Sequence, residues 1–309
     1  MKKVLDEFIA YVKRKSYSTH TIYDYNYTLS TFFNFIADYA PDTERIESID
    51  RDLILAYEKY LAVKTDGKGN RYSINRRRRF LTNLKTFFAY LEKNELIEKN
   101  PAVTIALPRE KKRIIRNVLT IEEMKKVLTS CRGRTLKSLR DRTMLEVLYS
   151  TGMRADELCN VELRDLDLSE ETIYIRKGKW DSERLVPFGK TAERWLVSYL
   201  ERGRPLLAER DSPLLFLSMR GKKLQPQALL DVVQYWSDYA GIEKKITTHS
   251  FRHSCATHML QGNADIRFIQ FLLGHKNIST TELYLTIELS DLKKVHKNSH
   301  PRESKNWNL

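Results

Sequence analysis

Residues 248–284 read THSFRHSCATHMLQGNADIRFIQFLLGHKNISTTELY. A helical pattern runs from Ser250, and the segment then passes through a turn at Gly274 and ends on a tyrosine. His249 and Arg252 are three positions apart at the start of the helix and therefore share a face. His249 and His253 are four apart, which is also the spacing of a helical metal pair. No Glu separates them in the HExxH manner and no third ligand is evident, so no metal site is expected. His253 and His258 read as helix-packing residues. His275 follows Gly274 in the turn, and Tyr284 lies nine positions beyond it, one of sixteen tyrosines. Each of these residues alone would mean little.

Working outward, TGMRADEL at 151–158 places Arg154 at an apparent helix start, with Glu157 expected to buttress it by an ion pair or a cap. The segment ETIYIRKGKWDSERLVPF at 171–188 predicts two short strands, Thr172–Arg176 and Glu183–Pro187, joined by a Gly-containing turn. Lys177 and Lys179 both lie near that turn. Thr120 with Glu123 three residues on gives a capping box, and helices follow at 137–150, 190–209 and 225–240. The tail predicts one short amphipathic helix, Ser290–Lys297, stopped by Pro301.

The first hundred residues read almost wholly helical. Leu5, Phe8, Ile9 and Val12 recur at helical spacing. Ser18 caps a second helix running to Tyr39, Ile49–Val63 is a third, and a fourth runs from Ser73 to Lys93 after the turn Asp66-Gly67-Lys68-Gly69. Four helices with short connections predict a compact bundle. Arg71, Arg76, Arg77, Arg78 and Arg79 crowd the start of the fourth helix and point around more than one face, so they cannot all sit in a core; their density exceeds what solubility requires, which favours phosphate contacts over a solvated basic face. Asn100-Pro101 closes the bundle. The stretch 108–116, PREKKRIIR, has no periodicity and is dense in cations, including Lys111, Lys112 and Arg113. It reads as a basic interdomain linker that reaches at most ~30 Å, enough to let two domains grip one duplex.

Bulk properties agree with a two-domain DNA protein. The 309 residues exceed what one core usually holds, which divides the chain into 1–107, the linker 108–116, and 117–309. Formal net charge is +14, which attracts a polyanion. No apolar run approaches the ~20 residues of a membrane helix, and Asp6, Glu7 and Lys13 break any signal-like start, so a cytoplasmic location is expected. Cys131, Cys159 and Cys255 fit neither a disulfide framework nor a zinc pattern and read as buried thiols.

Taken together, TGMRADEL, RKGKWDSERLVP, HSFR and LGHKNISTTELY resemble, in order, the signature of the tyrosine recombinase (phage integrase) family, in the form of its compact Xer-type members. The resemblance spans nearly the whole chain and is strongest over 119–287. It implies a mainly α protein, with an N-terminal four-helix, SAM-like core-binding domain and a mixed α/β catalytic domain holding a small antiparallel sheet. It also implies six catalytic residues: Arg154, Lys177, His249, Arg252, His275 and Tyr284. Arg154 and Arg252 would clamp the non-bridging phosphate oxygens, and His275 would donate to them. Tyr284 would attack to give a 3′-phosphotyrosine, with His249 as base and Lys177 as acid to the leaving 5′ oxygen. Lys179 is the alternative acid. The phosphotyrosine keeps the bond energy, so no ATP, metal or other cofactor is expected. The implied partners are double-stranded DNA carrying a recombination site and a homotetramer, with a second recombinase as a further partner. The segment after the nucleophile departs from the family's Tyr-Thr-His, since Leu285-Thr286 follows Tyr284. In the family a tail of this kind packs on a neighbouring subunit; a helix folded back on its own domain is the alternative. A type IB topoisomerase-like relaxing enzyme would share the nucleophile, and a non-catalytic DNA-binding protein would share the fold.

Overall fold

A computed structural model describes residues 1–109, 118–176, 183–208, 212–274 and 289–303. The chain divides into two compact units, Met1–Ile114 and Ile115–Leu309.

The N-terminal unit is built from α1 (Lys2–Arg14), α2 (Thr19–Tyr39), α3 (Arg51–Val63) and α4 (Ile74–Lys93). Three of these start on side-chain caps that satisfy otherwise orphaned backbone donors. Ser18 Oγ accepts from Thr21 N at 3.0 Å, Asp50 Oδ1 from Leu53 N at 2.8 Å, and Ser73 Oγ from Arg76 N at 3.2 Å. The Asp50 cap explains why α3 begins two residues later than the hydrophobic pattern suggests; Ile49 is buried in the core just outside the helix. The core interleaves aromatic rings with aliphatic side chains. Phe8 meets Phe87 edge-on at 5.2 Å, and Phe32 meets Tyr57 at 4.8 Å. Rings held in this way contribute ~0.5–1.5 kcal/mol per pair beyond their burial.

The C-terminal unit starts with α5 (Ile121–Ser130), where Thr120 and Glu123 form the expected capping box. Helix α6 (Leu136–Thr151) follows, then α7 (Ala155–Asn160) and an antiparallel sheet of β1 (Leu166–Asp167), β2 (Thr172–Ile175) and β3 (Arg184–Pro187), in that order. Ile173 pairs with Val186 and Ile175 with Arg184. The two-residue β1 is too short to show a pattern in the sequence. Next comes α8 (Lys190–Arg202), which stops well short of the expected 209. Gly203 and Pro205 break it into a single 3₁₀ turn at Arg204–Leu206, since proline cannot donate to a continuing helix. The unit is completed by α9 (Pro226–Tyr239), α10 (Thr248–Gln261), α11 (Ile266–Leu273) and α12 (Leu289–Ser299).

Helix α6 is the structural axis of this unit. Every residue from Leu139 to Thr151 is buried, including four charged ones. Their charges are neutralised locally, as buried charges must be. The Arg140 guanidinium meets Asp141, whose other oxygen accepts from Trp236 Nε1 at 3.1 Å. Arg142 Nε donates to Glu146 Oε1 at 2.8 Å. The tail closes this network, because Arg302 Nε donates to Glu146 Oε2 at 2.9 Å. His296 Nε2 donates to Ser150 O at 2.7 Å, and His300 Nε2 to Tyr149 O at 3.1 Å. Helix α12 therefore packs on its own unit, against α10, α11 and β3.

Helix α10 corrects one sequence expectation. His258 packs, bonded to Tyr149 Oη at 2.8 Å and to Leu119 O at 2.9 Å. His253 does not, because it is exposed. Phe251, Arg252, Cys255, His258 and Met259 form the inward stripe, and His253 lies one turn from His249 on the outward side.

Candidate active site

Two glycine turns frame the site. Gly152 ends α6 at φ 60° and Gly274 ends α11 at φ 65°, both left-handed conformations that cost other residues ~1–2 kcal/mol. The first turn delivers Arg154 to the N-cap of α7, half-exposed. Its backbone N–H donates to Glu157 Oε2 at 2.7 Å, and its Nη1 to Glu157 Oε1 at 3.2 Å. Glu157 thus buttresses Arg154 as the sequence suggests.

Arg252 reaches both turns from α10. It is 6% exposed, and its Nη1 donates to Gly152 O at 2.8 Å while its Nη2 donates to Leu273 O. Burial, followed by repulsion from Arg154, lowers its pKa to about 10, so it still carries a full charge at neutral pH. The same electrostatic coupling brings Glu157 and Arg184 into the Arg252 environment. His249 is exposed in the first turn of α10. His253, though exposed, is held below the usual imidazole range by partial desolvation of its ring and by the nearby His249 and Arg252 charges.

Arg184, the first residue of β3, is a site residue that sequence reading missed. Its Nη1 and Nη2 grip the two oxygens of Glu157 at 2.9 Å each, and its Nε donates to Leu272 O at 3.1 Å. Burial pushes the Glu157 carboxyl up, but hydrogen bonding and charge from Arg184, with the Arg154 amide and guanidinium, outweigh it and hold the pKa below normal. An arginine preceding Leu-Val-Pro in a strand reads as a solvent-facing residue, and no local pattern reports a partner 27 positions away.

Lys177, Lys179, His275 and Tyr284 lie outside the described residues, as do Lys111, Lys112 and Arg113. The described residues bordering them are anchored. Arg176, just before Lys177, pairs with Glu162 at 3.0 Å and Asp165 at 2.7 Å. In the N-terminal unit, the five candidate DNA-contacting arginines divide. Arg71 is exposed. Arg76 stacks on the Tyr72 ring at 3.8 Å, Arg78 donates to Pro108 O, and Arg79 pairs with Asp24 at 3.0 Å. Arg77 is half-buried. Among the described residues, no group of three or more His, Cys, Asp or Glu could hold a metal ion, and no helix is long and apolar enough to cross a membrane.

A helical unit, a second mostly helical unit with a small sheet, and two arginines meeting at the Gly152 turn are the features on which known proteins can be compared with this one. Residues 117–289 match the phage integrase family, and residues 5–95 match the phage integrase N-terminal SAM-like domain. The chain is 34% identical over 304 residues to tyrosine recombinase XerD of Staphylococcus aureus, covering 98% of this chain and 100% of that one. It is 35% identical over 253 residues to tyrosine recombinase XerC 2 of Ralstonia nicotianae, covering 82% of this chain and 73% of that one. The XerH recombinase bound to its difH substrate superimposes with a TM-score of 0.68 at 25% identity, covering 94% of this chain and 82% of that one. A lambda integrase tetramer bound to a Holliday junction shares the fold, with a TM-score of 0.69 at 17% identity over 92% of this chain and 76% of that one. The protein belongs to the phage integrase family and is a tyrosine-type recombinase.

Proposed function

We propose that the protein is a site-specific recombinase that cleaves and rejoins DNA through a 3′-phosphotyrosine at Tyr284, exchanging strands between two duplexes held by a tetramer. The carrying observation is the convergence of Arg154 and Arg252 on the Gly152 turn, although they are far apart in sequence. Two permanent cations at one centre suit the extra negative charge of a pentacoordinate phosphorane. In this reading the Tyr284 oxygen attacks phosphorus and the bond from phosphorus to the 5′ oxygen breaks. His249 takes the phenol proton, and Lys177 supplies one to the departing 5′ oxygen. His275 donates to a non-bridging oxygen. Rejoining runs the same steps backwards, so the phosphotyrosine stores the bond energy. Full-length similarity to XerD, together with XerH bound to difH, supports DNA of defined sequence as the substrate. Arg71, Arg76, Arg77, Arg78, Arg79, Lys111, Lys112 and Arg113 are proposed to track the backbone phosphates.

The test uses nicked suicide duplexes built on sequences that the protein itself selects from randomised DNA. The wild-type chain should give a protein–DNA adduct that survives denaturing electrophoresis, and Tyr284→Phe should give none. An adduct with Tyr284→Phe would overturn the assignment. Site-independent relaxation of supercoiled plasmid by a monomer would assign topoisomerase activity instead.

A further inference from the structure

We propose that Arg184 is a positioning and charge-compensating residue for strand cleavage. It neutralises Glu157 so that the carboxylate can orient Arg154 without cancelling the positive field that receives the phosphate. The inference rests on the phosphate-clamp reading above.

The Glu157 contact to Arg154 carries a cost. Glu157 holds Arg154 through the backbone N–H at 2.7 Å and through Nη1 at 3.2 Å. A carboxylate that close to the phosphate site opposes catalysis, because it repels the developing charge and attracts the same guanidinium the phosphate requires. Its side chain is 9% exposed, so water screens it poorly. Arg184 removes this cost. Its fork takes both oxygens of Glu157 at 2.9 Å, closer than the Arg154 Nη1 contact, and its own side chain is 2% exposed. Arg154, Glu157, Arg184 and Arg252 together then carry two positive charges. Without Arg184 they carry one, and Glu157 loses the guanidinium fork that takes both its oxygens. A buried guanidinium that serves only packing would be an expensive choice, since replacing a buried ion pair by apolar residues is often neutral or stabilising.

Arg184 also links three segments that border the site. It stands at the start of β3, the first strand after Lys177 in the sequence. It grips Glu157 behind Arg154, and it donates to Leu272 O two residues before Gly274. A Cβ on Gly274 would approach Arg184 Nη1 to 3.0 Å. Together with Arg252 on Leu273 O, Arg184 holds the end of α11 that leads into His275.

The experiment measures single-turnover cleavage of the suicide duplex at saturating DNA, on the full chain, for wild type, Arg184→Met, Arg184→Lys and Tyr284→Phe. Each is run on an ordinary scissile phosphate and on a neutral methylphosphonate at the same position, below the unfolding temperature of the least stable variant. Arg184→Met is expected to cleave the ordinary phosphate slower by on the order of 100-fold, the loss typical of one preorganised charge-stabilising group. Arg184→Lys, which keeps the charge and loses the fork, should recover most of the rate. On the methylphosphonate, where there is less charge to stabilise, the Arg184→Met deficit should shrink to within a few-fold. Equal deficits on both substrates would show a purely structural role and overturn the proposal, as would wild-type cleavage by Arg184→Met. An adduct with Tyr284→Phe would instead overturn the reading beneath it.

Discussion

Replacing Gly152 by alanine should damage the protein in a way that can be partitioned. The residue sits at φ 60°, and a Cβ there would lie 2.9 Å from Leu273 Cδ2 and 3.3 Å from Cys255 Sγ. The backbone part costs ~1–2 kcal/mol. The steric part adds ~1–3 kcal/mol, because Leu273 and Cys255 are both buried and cannot swing away freely. Gly241 provides the control, since it has φ 72° and nothing within 4 Å of its Cβ position. Gly241→Ala should therefore show the backbone part alone. Trp180, Trp195, Trp236 and Trp307, all the tryptophans of the chain, fall within Ile115–Leu309, so their fluorescence follows that unit. With a urea m-value of ~3 kcal/mol/M, a further loss of ~2 kcal/mol lowers the midpoint of Gly152→Ala about 0.7 M below that of Gly241→Ala. Coincident midpoints would refute the steric argument. Gly152 O is also the acceptor for Arg252 Nη1, so cleavage by Gly152→Ala should fall further than DNA binding does.

Two further outcomes follow from the same geometry. His296 and His300 titrate below the usual ~6.5, chiefly through burial, and His300 is depressed further by His296. Both are buried neutral, so their contribution is fully present above ~6.5. It is lost as pH falls towards the folded pKa values, at about 1.4 kcal/mol per pH unit for each histidine. The groups facing the pair are His258, Glu171 and Arg302, and Glu146 pairs with Arg302. Glu303, whose pKa is raised mainly by burial, partly offsets the loss. Urea midpoints should drop between pH 7 and pH 5, and His300→Asn should flatten that drop; an unchanged pH dependence in the variant would contradict the assignment. Separately, Arg71→Ala should leave stability unchanged and reduce the slope of log affinity against log salt by about one phosphate contact, whereas Arg76→Ala should also destabilise the N-terminal unit through the lost Tyr72 stack. Filter binding across a salt series, with thermal melts alongside, separates the two.

What the sequence made legible was local. Ser18, Thr120 and the β-prone run Thr172–Ile175 announce their elements because the signal and the structure lie within a few residues of each other. His249 and Arg252, read from their spacing as one face, divide in the fold, because Arg252 turns inward onto Gly152 O while His249 stays exposed. The misses are of two kinds. Boundaries moved where a cap or a breaker outweighed the hydrophobic pattern, as at Asp50 and Pro205. Partnerships across the fold were invisible, because a buried Arg184, Arg142 or His300 looks in sequence like any surface polar residue until topology supplies Glu157, Glu146 or the Tyr149 carbonyl. The arginine run shows the converse. Its density suggested phosphate contact throughout, yet the fold gives Arg76, Arg78 and Arg79 partners of their own.

The sealing of α6 on every side has a consequence for motion. A helix with no solvent-facing stripe cannot fray sideways, and amides so enclosed exchange with deuterium only when the whole unit opens. The residues from Leu139 to Thr151 should thus be the slowest-exchanging stretch of the C-terminal unit. Gly152 and Arg154 continue directly from that stretch. Arg154, the arginine proposed to clamp the phosphate, is therefore tied to the part of the protein that moves last, so openings elsewhere in the unit leave its anchor in place.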